Sequence, residues 1–452
     1  MTTTVESQQA EPVAGPRPGR WIDHWDPEDP EFWESTGRAV ARRNLVLSIL
    51  AEHLGFSVWV IWSIVAVNLN SVGFAFTDSQ LFWLVALPNL VGATLRLPYT
   101  FAVPIFGGRN WTVVSALLLV VPSLALAWAV SDPSTSFTTM LLVAALAGVG
   151  GGNFASSMTN ISWFYPEREK GWALGLNAAG GNIGVAVVQA PFVVSAVITA
   201  GAGIHLARAG LMWVPLALVA ALLAWRYMDN LTVARADFRS SAVAARRTHT
   251  WVMSFLYIGT FGSFIGYAAA FPLLIKGQFP EVEVVSYAFL GALVGSLSRP
   301  VGGRLADSFG GARITAVSFA VMGLGVLGVV GALALESFAL FLACFMVLFL
   351  ATGVGNGSTY RMIPAIFRHG VDPGDPGGVA TAKRESAAAI GIISAIGAYG
   401  GFLVPRTYGW STGAFGSIVP ALYVYVGLYA VMLAVTWACY LRPRAALARA
   451  GV

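Results

Sequence analysis

Polar stretches along this chain are short and apolar stretches are long. Apolar runs, each near the ~20 residues that a bilayer core requires, fall at about 44–69, 81–106, 111–131, 138–164, 171–198, 207–228, 251–275, 284–306, 313–335, 337–366, 384–405 and 417–441. The pattern predicts twelve membrane-spanning helices, because a helix satisfies its backbone hydrogen bonds within one segment. An even number of spans puts both ends of the chain on one side. Ahead of the first run, residues 1–43 hold Asp23, Asp26, Glu28, Asp29, Glu31 and Glu34 with Trp21, Trp25 and Trp33. This segment reads as a cytoplasmic extension with a short amphipathic helix around 30–43, and its polar character predicts no cleavable signal peptide. A polar, basic linker at 229–250 divides the spans into two sets of six, 44–228 and 251–441, followed by a tail at 442–452.

Composition agrees with the pattern. Hydrophobic residues make up 56% and charged residues 11%, less than half the ~25% usual for soluble proteins. That excludes an ordinary soluble enzyme, a disordered chain and a disulfide scaffold. The net charge of +5 raises nucleic acid as a partner, but the basic residues are scattered over short loops. Arg42, Arg43, Arg109, Arg168, Lys170, Arg235, Arg239, Arg246, Arg247, Arg304, Arg313, Arg368, Arg442 and Arg444 fall on the side of the N-terminus, against Arg208, Lys276 and Arg406 opposite. The positive-inside bias explains the surplus and predicts cytoplasmic termini. Cys344 and Cys439 lie in apolar runs and read as small buried hydrophobes.

The halves repeat. Arg96 precedes Phe106-Gly107-Gly108 as Arg299 precedes Phe309-Gly310-Gly311, and both arginines sit in the second span of their half. In the fourth spans, Gly148-Val-Gly-Gly-Gly-Asn-Phe154 aligns with Gly353-Val-Gly-Asn-Gly-Ser-Thr-Tyr360; in the fifth, Gly175, Gly181 and Gly184 align with Gly391, Gly397 and Gly400. Two six-helix halves related by an axis along the membrane normal predict an all-α membrane protein of the major facilitator architecture, with its substrate midway between the halves. Gly303-Arg-Leu-Ala-Asp307-Ser-Phe-Gly310, leading to Arg313, resembles that superfamily's cytoplasmic loop motif.

Arg96 and Arg299 carry the chemistry. A charge at the centre of a spanning helix costs at least ~2.5–3.5 kcal/mol, and the spans hold almost no carboxylates. Two guanidiniums at equal depth make an anion site; the static alternative is that each pairs with a backbone carbonyl or a distant carboxylate and packs helices. Planar forked donors suit planar oxyanions. The pseudo-symmetric Phe154 and Tyr360, with Tyr257 and Phe261 one turn apart, offer flat walls, and Asn153, Asn177 and Asn182 offer neutral donors. A pocket with few charges and aromatic walls favours a small, flat, weakly hydrated anion. The Gly- and Ala-rich fourth, fifth, tenth and eleventh spans serve either close static packing or helices that slide.

Gly150-Gly-Gly-Asn-Phe-Ala-Ser-Ser-Met-Thr-Asn-Ile-Ser162 with Gly171-Trp-Ala-Leu-Gly-Leu-Asn-Ala-Ala-Gly-Gly-Asn-Ile-Gly184 closely resembles the nitrate signature of the nitrate/nitrite porters (NarK-type) of the major facilitator superfamily. Gly391-Ile-Ile-Ser-Ala-Ile-Gly-Ala-Tyr-Gly-Gly-Phe-Leu403 looks like their second signature, and the likeness covers nearly the whole chain after residue 30. The resemblance implies that Arg96 and Arg299 clamp nitrate, that Asn182 lies at the substrate, that Phe154, Tyr257 and Phe261 contact or cover the anion, with Tyr360 where the family often has Phe, and that Ser394 is a polar position of the second signature. Ala178 stands where Gly is common, and Leu403 where Phe is frequent.

The charge count points to mechanism. Closing an empty carrier would bring two unneutralised guanidiniums together in a low dielectric, and arginine cannot usefully release its proton. The expectation is a rocking carrier, monomeric in the lipid bilayer and without cofactor, that imports nitrate in exchange for nitrite. Proton–nitrate symport is the alternative, with Glu52, His53 and Glu385, the last near Arg361, as candidates for proton coupling; the plain reading of each is a cytoplasmic-end residue that snorkels or pairs. A membrane anion sensor needs a soluble output domain, which neither the first 43 residues nor the tail suggests. An enzyme needs a nucleophile or metal cluster, and His24, His53, His205, His249 and His369 show no ligand spacing.

Overall fold

The structure is a computed structural model that describes residues 19–199, 203–234, 238–372, 374–443 and 447. Among the described residues, twelve helices are long and apolar enough to cross a membrane: α1 Pro30–Val72, α2 Asp78–Phe106, α3 Gly108–Ala129, α4 Phe137–Phe164, α5 Glu167–Gln189, α6 Leu206–Tyr227, α7 Thr248–Gln278, α8 Val284–Phe309, α9 Gly311–Ala334, α10 Phe338–Arg368, α11 Gly377–Phe415 and α12 Val419–Leu441. They follow the expected order and differ from expectation mainly in extent. The helix expected around 30–43 is continuous with α1. Asp29 caps its start by accepting the Glu31 N–H, with Pro30 in the first turn, where a missing N–H costs nothing. α5 stops at Gln189 rather than near 198, because the residue before Pro191 leaves the helix. α11 continues through Pro405 to Phe415.

Large apolar side chains such as Trp128, Leu142, Leu222, Leu324 and Trp437 are exposed around the outside, which a hydrocarbon surround requires. α7 is the opposite case, with 94% of its apolar window buried, so it runs through the centre of the bundle. The pseudo-symmetry recurs in the backbone. Gly107 and Gly310 end α2 and α8 with φ of 90° and 89°, a region that favours glycine. Their separation of 203 positions (310 less 107) equals that of the two arginines (299 less 96). At Gly107 a side chain would also collide with Asn230, whose Oδ1 lies 2.3 Å from where a Cβ would stand.

The N-terminal segment packs on the first half. Strand β1, Trp21–Ile22, pairs in parallel with β2, Asn230–Leu231, just after α6. Asp229, 1% exposed, accepts from Arg20 at 2.7 Å, from Arg43 at 2.5 Å and from Asn44 at 2.9 Å. Trp25 Nε1 donates to the Trp163 carbonyl and Trp33 Nε1 to Glu169. Of the cysteines, Cys344 and Cys439 are free and half-buried rather than fully buried.

Candidate anion-binding site

α2 and α8 each place their arginine ten residues before the helix end at Phe106 or Phe309, about 15 Å below that face at ~1.5 Å per residue. Arg96 is 0% and Arg299 6% exposed. Glycines let the neighbouring helices come this close. A Cβ on Gly151 of α4 would lie 2.6 Å from the Trp59 ring and 2.8 Å from Gly92 Cα, and one on Gly357 of α10 would lie 2.1 Å from the Arg299 carbonyl oxygen.

Aromatic rings surround both cations. The Arg96 guanidinium carbon lies 4.5 Å from the ring centre of Phe154, 4.8 Å from Phe261 and 5.4 Å from Trp59. That of Arg299 lies 5.8 Å from Phe154 and 5.5 Å from Tyr360. Phe154 is therefore shared by the two cations. Phe261 stacks on Phe154 at 6.2 Å and on Tyr257 at 5.4 Å, and the Tyr257 hydroxyl donates to Asn356 Oδ1 at 2.9 Å. Such faces attract a cation by ~0.5–2 kcal/mol each without neutralising it.

The polar partners leave donors over. Arg96 Nε donates to the Gly151 carbonyl at 3.3 Å and Nη1 to the Ser394 carbonyl at 3.0 Å. The static alternative is thus partly realised at Arg96, whose Nη2 is buried without an acceptor, as is Nη1 of Arg299. Among the described residues neither arginine forms an ion pair. Two buried guanidiniums with unspent donors, sharing one aromatic ring, can accept a small planar anion and would repel a cation.

The other expected site residues divide. Asn182 is buried and both atoms of its amide lack partners; Ala178, one turn earlier on α5, is buried. Ser394 meets Arg96 through its carbonyl, whereas its hydroxyl donates to Gly391. Asn153 and Asn177 do not serve the arginines: Asn153 donates to the Ala51 carbonyl, and Asn177 to Glu52 Oε2 and Ser157 Oγ, both at 2.6 Å. Glu52 is no snorkelling residue at a helix end. It is 0% exposed, because the α1 start at Pro30 carries it well below the face. His53 turns Nδ1 to the Gly180 carbonyl. Glu385 pairs with Arg247 at 2.8 Å, while Arg361 pairs with Asp307 of the loop motif, so the expected Glu385–Arg361 proximity gives way to two separate pairs. Sequence reading missed Trp59 and Asn356. The signal for Trp59 was its place opposite Gly92 and Gly151; main-chain acceptors such as the Ser394 carbonyl leave no trace in side-chain identity.

The model of the Major Facilitator Superfamily matches residues 46–382. Nitrate/nitrite transporter NarU of Salmonella typhimurium is 44% identical over 93% of this chain and 96% of its own. The probable nitrate/nitrite antiporter NarK2 of Thermus thermophilus is 38% identical over 94% and 97%. Among solved structures, a D-xylose–proton symporter superposes with a TM-score of 0.63 at 15% identity, covering 88% of this chain and 97% of that one.

Proposed function

This chain belongs to the nitrate/nitrite porter family of the major facilitator superfamily, and from that premise we propose that it imports nitrate in exchange for nitrite across the bacterial inner membrane, with Arg96 and Arg299 clamping the anion. The observation that carries the reading is the pair of buried guanidiniums with an unsatisfied N–H on each, both against the ring of Phe154. One planar monovalent anion supplies acceptors for both. Asn182, with a free amide on α5, is the neutral donor nearest in chemistry to the task, and Tyr257, Phe261 and Tyr360 wall the anion. The transporter and antiporter names of the relatives support the substrate pair. The loop arginines support cytoplasmic termini, and the carrier works as a monomer.

Exchange follows from charge. The Ser394 carbonyl accepts from Arg96, but a dipole does not cancel a charge, so crossing unloaded costs more than crossing loaded. In liposomes, nitrate uptake should require nitrite or nitrate inside and ignore an imposed proton gradient. Uptake into anion-free vesicles driven by external acid would replace exchange with symport; the deep burial of Glu52 is what keeps that second reading in view.

A further inference from the structure

The two halves also meet along α2 and α11, near the face opposite the N-terminus. Arg406 lies nine positions before α11 ends at Phe415 (415 less 406), and Trp83 five positions after α2 starts at Asp78 (83 less 78). At ~1.5 Å per residue these two stand about 8–14 Å below that face. Arg96 lies 13 positions further along α2 (96 less 83), about 20 Å deeper. The Arg406 guanidinium carbon sits 3.8 Å from the Trp83 ring centre, closer than either central arginine comes to a ring. Trp83 also meets Phe402 at 5.8 Å, and Phe82 meets Tyr408 at 6.1 Å. The seam is tight, since a Cβ on Gly409 would lie 2.9 Å from both Phe82 Cβ and Arg406 Nη1. The cation's hydrogen-bonding edge is left over. Its Nη1 is buried without an acceptor, and among the described residues Arg406 forms no ion pair. A ring face attracts the charge but offers no acceptor in the guanidinium plane. The internal repeat does not account for this arginine: the offset of the fifth spans, 216 positions (391 less 175), sets Ala190 opposite it.

We propose that Arg406 is an outer docking site, where a monovalent oxyanion binds on its way to the central pair, and that Trp83 covers the site when the halves close. The docking role rests on the nitrate/nitrite reading of Arg96 and Arg299, and on cytoplasmic termini, which make this face the outer one. For an anion to enter here, α2 must part from α11. The guanidinium then loses the Trp83 ring and presents its free donors to the opening mouth. With no carboxylate to neutralise it, the cation stays attractive to an anion. Closing returns the ring to the guanidinium, so the docked anion gives way to Trp83 and passes inward, where two guanidiniums wait instead of one. Arg406 thus has one partner in each state, the ring when closed and the anion when open. A charge at a mouth acts mainly on the rate of arrival, and its effect fades as salt screens it.

The test uses the full-length protein in membrane vesicles of known sidedness. Right-side-out vesicles loaded with nitrite report the KM for outer nitrate, and inside-out vesicles loaded with nitrate report the KM for nitrite at the cytoplasmic face. Outer ionic strength is raised with sodium gluconate from about 0.01 to 0.15 M, which shortens the screening length from ~30 to ~8 Å. In the wild type the outer KM should rise several-fold over that range. Arg406→Gln should raise the outer KM about 3–10-fold at low salt, flatten its salt dependence and leave the cytoplasmic KM within about twofold. Arg406→Lys, which keeps the charge, should retain most of the low outer KM. Lys276→Gln removes a cation from the same face on α7, away from the seam, and should not reproduce the effect. An unchanged outer KM in folded Arg406→Gln, or an equal rise in Lys276→Gln, would overturn the docking site while leaving exchange intact. If Arg406→Gln does not fold, the wild type decides, because an outer KM indifferent to salt would also overturn it. Absence of nitrate–nitrite exchange in the wild type would instead count against the central reading and take the docking role with it.

Discussion

Each guanidinium of the central pair is held by rings on its faces and by few acceptors at its edge, so geometry matters as much as charge. Lysine keeps the charge but loses the planar fork. Arg96→Lys and Arg299→Lys should each lower the rate of nitrate/nitrite exchange roughly 10–100-fold, the equivalent of one charged hydrogen bond of ~1.5–3 kcal/mol. Matched initial rates at equal protein incorporation check this. Tyr257→Phe is a milder change: it keeps the stack on Phe261 but leaves Asn356 Oδ1 without its donor. It should cost ~1–3 kcal/mol of stability, seen as a lower Tm, and reduce exchange only several-fold.

Among the elements, glycine marks where helices touch. A Cβ at Gly357 would press on the Arg299 carbonyl oxygen and on the Gly303 nitrogen, both backbone, so Gly357→Ala should push α10 off α8, lose ~1–3 kcal/mol by overpacking and displace Arg299. Gly171, near the start of α5, meets nothing within 4 Å; Gly171→Ala should be neutral or stabilise by up to ~1 kcal/mol through helix propensity. Thermal melts of the two variants make the comparison. These contacts also show what the sequence could convey. Twelve helices, their order and the paired arginines were legible because hydrophobic runs, loop charges and an internal repeat are properties of side chains in register. The depth of Glu52 was not legible, because an acid 22 residues past the helix start at Pro30 (52 less 30) reads as near an end only if the helix is taken to start at 44. The roles of Asn153 and Asn177 were misassigned for a related reason: an amide's type does not say whether it serves a cation on one side or a carboxylate on the other.

At the scale of the whole molecule, a rocking carrier needs each half to move as one body. In the second half the Asp307–Arg361 pair ties the end of α8 to α10. The equivalent position to Asp307, by the offset of 203, is Pro104, and the first half is tied instead by its N-terminal segment. Arg20, Arg43 and Asn44 converge on Asp229, and Asn230 reaches Gly19 and Asn110. Asp229→Asn should lower the Tm and make the bonds around Trp21–Asp29 accessible to protease, with nitrate affinity little changed; limited proteolysis of wild type and variant checks it. The central claim is that the two arginines together hold one planar monovalent anion, and equilibrium binding of nitrate to the purified protein tests it most directly. The account predicts one nitrate per chain, displaced by nitrite but not by sulfate, and an affinity lowered about 10–100-fold in Arg96→Lys or Arg299→Lys proteins that remain folded. Wild-type affinity in either folded lysine variant would contradict it.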